Sequence, residues 1–270
     1  MTTASLAPRT ALFLPASNAR AIEKARGLDA DMVILDLEDA VKPEAKAEAR
    51  AMAVAAAAEG FGEHLFAIRL NGIDAAEHDA DVAAVRASAC EIAILPKVEH
   101  AADAVRVVAA LGGKKLLAMI ETPRGVLNAV EIASVAGVIG LIAGTNDLRA
   151  ELRIPSGAGR ESLSLSLQSI VLAARIGECW AFDGVFNRLD DAEGLAAECR
   201  HGRDLGFDGK TLIHPNQIAV AAEAFGPTEA EIADARALIE AATGGAERFR
   251  DRMIESMHVA QAWAVLERAL

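Results

Sequence analysis

Short runs of aliphatic and β-branched residues recur along the chain, each followed by an Ala-rich stretch whose charges fall at helical spacing. The runs are "ALFLP", "MVILDLED", "LFAIRLN", "EIAILPK", "KLLAMIET", "VIGLIAGTNDL", "CWAFDGVF" and "GKTLIHP", and each reads as a strand. Between them, "NARAIEKARGLD", "PEAKAEARAMAVAAAAEG", "DAAEHDADVAAVRASA", "AADAVRVVAALGG", "PRGVLNAVEIASVAG", "SLSLSLQSIVLAARIG" and "AEGLAAECRHGRDLGF" read as helices, several closed by glycine. Eight strands that alternate with helices and are apolar on both faces predict a parallel α/β architecture, and eight is the number of a (β/α)8 TIM barrel. A doubly wound open sheet is the alternative, but no GxGxxG or P-loop follows an early strand to support it. After "IHPNQI" the chain continues for about 50 residues beyond what barrel closure requires. The expected organisation is a catalytic barrel over residues 1–226 and a C-terminal helical lid or oligomerisation segment over 227–270.

The polar residues collect where strands finish. The second run ends in Asp36, Glu38 and Asp39, the third in Arg69 and Asn71, the fourth in Lys97 and Glu99, the fifth in Glu121, the sixth in Asn146 and Asp147. In a barrel all these ends open on one face, where active sites of that fold are built. Along "LFAIRLN", Ala67, Arg69 and Asn71 share one side, so Arg69 is expected to point into the mouth. There it either neutralises a strand-end acid or offers a fixed fork to a substrate oxygen. Glu121 and Asp147 close consecutive strands, with Gly144 keeping "AGTND" slim, so the two carboxylates could share one Mg2+. The competing reading makes Asp147 an N-cap and Glu121 a helix-start charge, given Pro123 at a helix N1 position. His214 ends the last strand and reads as a structural histidine, while His64, His78, His100, His201 and His258 fall on helices or loops and are expected to be solvated. No GxSxG, HExxH or Cys–His constellation supports covalent hydrolase chemistry.

Composition narrows the partners. Lys+Arg 27 against Asp+Glu 39 gives a formal net charge of -12 over 270 residues, with no basic cluster. Nucleic acid and anionic membrane are therefore excluded as expected partners. Cys90, Cys179 and Cys199 lack CxxC spacing and read as buried free thiols in a reducing compartment. The apolar window "VLNAVEIASVAGVIGLIAG" is interrupted by Asn128, Glu131 and Ser134, and "MTTASLAPRTALFLPA" is too short in its apolar run for a signal peptide. A cytoplasmic protein is expected.

Taken in order, "LFLPASN", "VILDLEDAV", "IRLNG", "ILPKVE", "IETPRG", "GTNDL" and "GFDGKTLIHPNQI" resemble the citrate lyase β-subunit-like (CitE-like) branch of the HpcH/HpaI aldolase family, from Ala11 to about Phe225. The resemblance implies a barrel, a homotrimer or homohexamer, and Mg2+-dependent making or breaking of a C–C bond between a 2-oxo acid and an acyl-CoA enolate, with Mn2+ as a substitute metal. It implies Glu121 and Asp147 as metal ligands, Glu38 and Asp39 as the shell behind them, and Arg69 as the residue that holds the enolate oxygen. Asp36 is expected to face a cation such as Lys97. Two departures stand out. "PASNAR" places Asn18 where relatives carry an arginine, which leaves Arg20 and Lys24 as candidate CoA contacts. "MIE" places Glu255 where relatives carry an aspartate that serves a neighbouring subunit's site. The expected activity is cleavage of a 3-hydroxyacyl-CoA such as malyl-CoA or citramalyl-CoA. The alternatives are a CoA-independent 2-oxo-acid aldolase and a citrate lyase β-like subunit that needs a partner protein.

Overall fold

The structure, a computed structural model, describes residues 6–269. The first five residues of the stretch read as too short for a signal peptide, and Leu270, lie outside it. Eight parallel strands, β1 (Thr10–Pro15), β2 (Met32–Asp36), β3 (Leu65–Arg69), β4 (Ile92–Leu95), β5 (Lys115–Ile120), β6 (Val138–Ala143), β7 (Trp180–Asp183) and β8 (Gly209–Leu212), pair in chain order. β8 pairs with β1 to close the barrel. Around it run α1 (Ala19–Ala25), α2 (Lys46–Glu59), α3 (His78–Ala87), α4 (Ala101–Leu111), α5 (Pro123–Leu127), α6 (Ala129–Ala133), α7 (Thr145–Glu151), α8 (Ser164–Ile176), α9 (Ala192–Leu205) and α10 (Ile218–Phe225).

The two faces of each strand bury in different places, as a period of two requires. Met32, Ile34, Ala67, Ile92, Ile94, Leu117, Met119, Ile142 and Phe182 fill the barrel interior. Val33, Leu35, Ile68, Ala93, Leu95, Leu116, Ala118, Leu141 and Ala181 pack outward against the helices. Continuing the interior files by two residues reaches Asp36, Arg69 and Glu121, so the core turns polar at the C-terminal mouth. Glycines end α2, α4 and α9, with Gly112 and Gly206 at positive φ (67° and 98°).

Three strands are shorter than their apolar runs suggest. β2 stops at Asp36, β3 at Arg69 and β6 at Ala143. Glu38 and Asp39 therefore sit on a loop, and Asp147 lies in the first turn of α7. The expected single helix after β5 breaks at Asn128, whose side chain donates to the Glu99 carbonyl at 2.7 Å.

After α10 come α11 (Glu229–Ala241), a hairpin of β9 (Glu247–Phe249) and β10 (Arg252–Ile254), and α12 (Ser256–Arg268). Ala235, Leu238, Phe249, Ile254 and Ala262 form a small apolar cluster of their own. Arg268 donates to the backbone carbonyl of Asp208, immediately before β8. The last turn of α12 therefore lies at the strand-start end of the barrel, opposite the mouth. The three cysteines are free and buried. Among the described residues no helix is long and apolar enough to cross a membrane.

Candidate active site at the barrel mouth

Asp36 and Arg69 are register partners across β2 and β3, and their side chains meet as a buried fork. Arg69 donates from Nε to Asp36 Oδ1 at 2.7 Å and from Nη2 to Oδ2 at 2.6 Å. Asp36 therefore pairs with Arg69 and not with Lys97, a correction to the expectation above. In-register neighbours on one interior face lie closer than groups two strands apart. Asp36 also accepts from the backbone N–H of Glu38 (2.8 Å) and of Ala40 (3.0 Å), which wraps the acidic loop around its carboxylate. The guanidinium lies 5.0 Å from the centroid of the Phe13 ring. Burial opposes its charge, but the Asp36 carboxylate prevails and holds it firmly protonated. The ion-pair reading of Arg69 is the one the geometry displays. Nε and Nη2 neutralise Asp36, while Nη1 remains beside the cavity, 3.1 Å from Glu38 Oε2 and 3.9 Å from Met119 Sδ.

Lys97 brings the other acids together. Its backbone is left-handed (φ 53°), and its N–H donates to Glu121 Oε1 at 2.8 Å. Its ammonium donates to Glu38 Oε1 at 2.6 Å and lies 3.6 Å from Asp147 Oδ2. Glu121 is 3% exposed. Burial first, then the charges of Glu38 and Asp147, push its pKa up to about 8. Burial likewise raises Glu38. Neither Glu121 nor Asp147 is an N-cap: Thr122 caps α5, and Gly144 precedes α7, whose first turn carries Asp147. A Cβ at Gly144 would stand 2.3 Å from Glu121 Cβ, so glycine is what lets β6 pass the carboxylate.

This donor set fits a hard divalent cation. Glu38 Oε2 is buried with no hydrogen-bond partner, its nearest cation being Arg69 Nη1 at 3.1 Å, and burial, then the charges of Glu38 and Asp147, hold Glu121 above its ordinary range, a strain that a bound cation would relieve. Among the described residues no cluster of three or more His, Cys, Asp or Glu side chains forms a metal cage. Two carboxylates with room for water and substrate oxygens suit Mg2+, whereas zinc sites recruit three or four protein ligands.

The sign of the Glu121 shift makes a prediction for the metal-free protein. With its folded pKa raised from 4.5 to about 8, the folded state binds more protons than the unfolded state across that window. Its contribution to stability therefore falls as pH rises through it. Glu121→Gln should stabilise the metal-free protein by roughly 2–4 kcal/mol at pH 8 and by less than about 1 kcal/mol at pH 5. Denaturant titrations in chelator at the two pH values measure this, and an equal change at both would contradict it.

Arg69, Glu121, Asp147, Asp36, Asp39, Phe13, Met119 and Thr211 line one cavity of about 390 Å3 at the mouth. Phe13, Met119 and the reciprocal Asn146–Asn187 amide pair (2.7 and 3.3 Å) were not read from the sequence. Phe13 follows Ala11 by two residues on the interior face of β1, a signal the parity argument could have found. Asn187 lies on a loop and has no such signal. Arg20 and Lys24 are exposed on α1 and do not line the cavity. Asn18 caps that helix, accepting from Ala21 N–H at 3.0 Å. His214 is an exposed cap whose Nδ1 accepts from Asn216 N–H. His78, expected in solvent, is buried with Nδ1 2.9 Å from the Asn71 carbonyl, because α3 packs against the exit of β3. Glu255 caps α12 in a reciprocal box with His258 and does not line its own chain's cavity.

A parallel eight-stranded barrel that gathers carboxylates and one fixed arginine at its C-terminal mouth defines a carbon–carbon lyase of the TIM-barrel class. The HpcH/HpaI aldolase/citrate lyase family model matches residues 9–215, and a model for C–C bond lyases of the TIM-barrel fold matches residues 161–270. The chain belongs to the HpcH/HpaI aldolase/citrate lyase family. It is 41% identical to a (3S)-malyl-CoA thioesterase of Cereibacter sphaeroides, covering 97% of this chain and 94% of that one. It is 31% identical to the citrate lyase subunit beta of Escherichia coli, covering 97% and 93%. The structure of CitE from Mycobacterium tuberculosis in complex with magnesium, acetoacetate and coenzyme A superposes with a TM-score of 0.84 at 33% identity, over 97% of this chain and 98% of that one.

Proposed function

We propose that the chain is an Mg2+-dependent lyase that cleaves a 3-hydroxyacyl-CoA such as malyl-CoA or citramalyl-CoA to an acyl-CoA and a 2-oxo acid, or runs the reverse condensation. The observation that carries this is that Glu121, Asp147 and Arg69 line one cavity at the barrel mouth. Glu121 and Asp147 would hold the metal, with Glu38 and Asp39 behind them, and Mn2+ would substitute. When bound, the metal supplies Lewis-acid polarisation of the 2-oxo acid half. The chain's own groups do the rest. The 3-hydroxyl gives up its proton to a base, the C2–C3 bond breaks to leave the 2-oxo acid, and its electron pair passes to the acyl-CoA half as an enolate, which then takes a proton at C2 to become the acyl-CoA. Arg69 Nη1 faces that developing oxyanion, and Asp36 keeps the guanidinium from swinging away. Asp39, exposed at the rim 3.8 Å from Arg69 Nη1, would accept hydrogen bonds from water on the metal.

Arg20 and Lys24, on the exposed face of α1, would meet the CoA phosphates. Glu255 would act in the site of a neighbouring copy, since the barrel's acids are engaged with one another and with the metal. That assigns residues 227–270 as a lid in a homotrimer or homohexamer. The buried free thiols support a reducing, cytoplasmic setting.

The 41% identical thioesterase supports a second reading, hydrolysis of the thioester. Water would add to the carbonyl that Arg69 polarises, the C–S bond would break, and CoA thiol would leave. Product analysis with (3S)-malyl-CoA and Mg2+ separates the two. The lyase yields glyoxylate and acetyl-CoA; the thioesterase yields malate and a thiol that a disulfide reagent titrates. Neither product pair would overturn both readings.

A further inference from the structure

We propose that Lys46, which does not line the cavity, is the positioning residue that fixes the acidic loop 36–40 and with it the carboxylate of Glu38. The inference deepens the metal reading above and rests on it for its consequence in metal binding. Lys46 is the first residue of α2, half-buried behind the loop. Its ammonium donates to the backbone carbonyls of Leu37 (2.9 Å) and Glu38 (2.8 Å) and to Asn71 Oδ1 (2.6 Å). These use all three of its donors, and every acceptor is neutral.

The grip is geometrically complete. The peptide unit between Leu37 and Glu38 is held on both edges: its carbonyl by Lys46, its N–H by Asp36 Oδ1 at 2.8 Å. The next peptide is held by its Glu38 carbonyl. With both planes fixed, the Cα–Cβ direction of Glu38 is fixed, and its carboxylate arrives between Lys97 and Arg69.

Lys46 is anchored in turn. Asn71 Nδ2 and N–H both donate to Asp81 Oδ2 (2.6 and 2.9 Å), and Asp81 Oδ1 accepts from Arg50 Nε at 2.6 Å. The cation on one side and the anion on the other leave the Asn71 amide one orientation, Oδ1 to Lys46 and Nδ2 to Asp81. The chain Arg50–Asp81–Asn71–Lys46 thus ties the loop after β2 to the exit of β3, so Glu38 and Arg69 are held in one frame. A lysine kept only for packing would have no need of three matched acceptors, two of them carbonyls of the backbone that carries the site.

Lys46→Met tests this, with Lys46→Arg as the charge-preserving variant. Hydrogen exchange of the metal-free protein reads the loop directly, whatever the metal does. Amides of residues 37–41 should exchange at least tenfold faster in Lys46→Met, with the rest of the barrel unchanged. Mg2+ alone, titrated calorimetrically, should bind about tenfold more weakly, within the range expected for loss of outer-shell support. The kcat should fall with KM for the thioester within about twofold, and Lys46→Arg should recover part of both losses. If loop exchange, Mg2+ affinity and kcat per folded molecule match the parent while only thermal stability drops, Lys46 is structural and the proposal is wrong. If the loop loosens but neither parent nor variant binds Mg2+, positioning stands and the metal reading fails. Should Lys46→Met not fold, Asn71→Ala removes one of the three acceptors, and an unchanged loop exchange rate there overturns the proposal.

Discussion

Replacing Glu121 by Gln and Asp147 by Asn together should reduce turnover by on the order of 10^3-fold or more, because the metal site proposed above loses both of its ligands. The barrel should stay intact. Burial, with the charges of Glu38 and Asp147 added, disfavours the charged form of Glu121, so the neutral amide relieves that cost within the fold. The readout that separates a lost metal from a lost fold is the melting temperature. The parent should gain stability with Mg2+ by mass action, and the double variant should gain none. A double variant that still responds to Mg2+ as the parent does would place the ion elsewhere. The same lesion tests Glu255 across an interface. Glu121→Gln chains keep their Glu255, and Glu255→Gln chains keep their barrel acids. After subunit exchange at equal amounts, about a quarter of sites should combine an intact barrel with an intact neighbouring lid, and activity should return. A fully active Glu255→Gln chain would remove the residue from the chemistry. An inactive one that mixing never rescues would place its action within its own chain.

Arg69→Lys should lower kcat by about 10^2-fold while KM changes by only a few-fold. The native fork spends two nitrogens on Asp36, at 2.7 and 2.6 Å, and so presents the third at a fixed place. An ammonium on a flexible stem can satisfy Asp36 or the enolate oxygen but cannot hold both in that geometry. The substitution also leaves a buried carboxylate with a poorer partner and removes a planar cation from the Phe13 ring, so stability should fall by roughly 1–3 kcal/mol. An unchanged kcat with a raised KM would make Arg69 a ground-state binding group instead.

Much of the frame was legible because barrel strands impose a strict local rule. Alternation along "LFAIRLN" and "KLLAMIET" assigns the interior file, and the same alternation carries Arg69 and Glu121 to the mouth. The motif order from "LFLPASN" to "GFDGKTLIHPNQI" supplied the family. Partner choice among the mouth residues was not legible. Asp36 was expected to face Lys97, yet a one-to-one strand register sets it beside Arg69. Lys97 reaches Glu38 instead because its left-handed backbone turns it there. Neither register nor φ leaves a mark on residue type when the residue is a lysine. His78 was misplaced for a related reason: a histidine on a polar helix start looks solvated until α3 is seen packed on the β3 exit.

Sequence by itself determined the things that depend on near neighbours in the chain. These are the eight apolar runs, their parity, the helices between them and the acids and arginine at their ends, because side-chain direction repeats every two residues in a strand and hydrophobic burial follows that period. Only the tertiary structure decided which charges neutralise one another, which nitrogens of Arg69 hold Asp36, and that Lys46, Asn71 and Asp81 brace the acidic loop from behind. Those outcomes depend on distances between segments tens of residues apart in the chain, such as Lys46 with Asn71 and Glu38 with Lys97. They are set by barrel closure and shear, which no local pattern encodes.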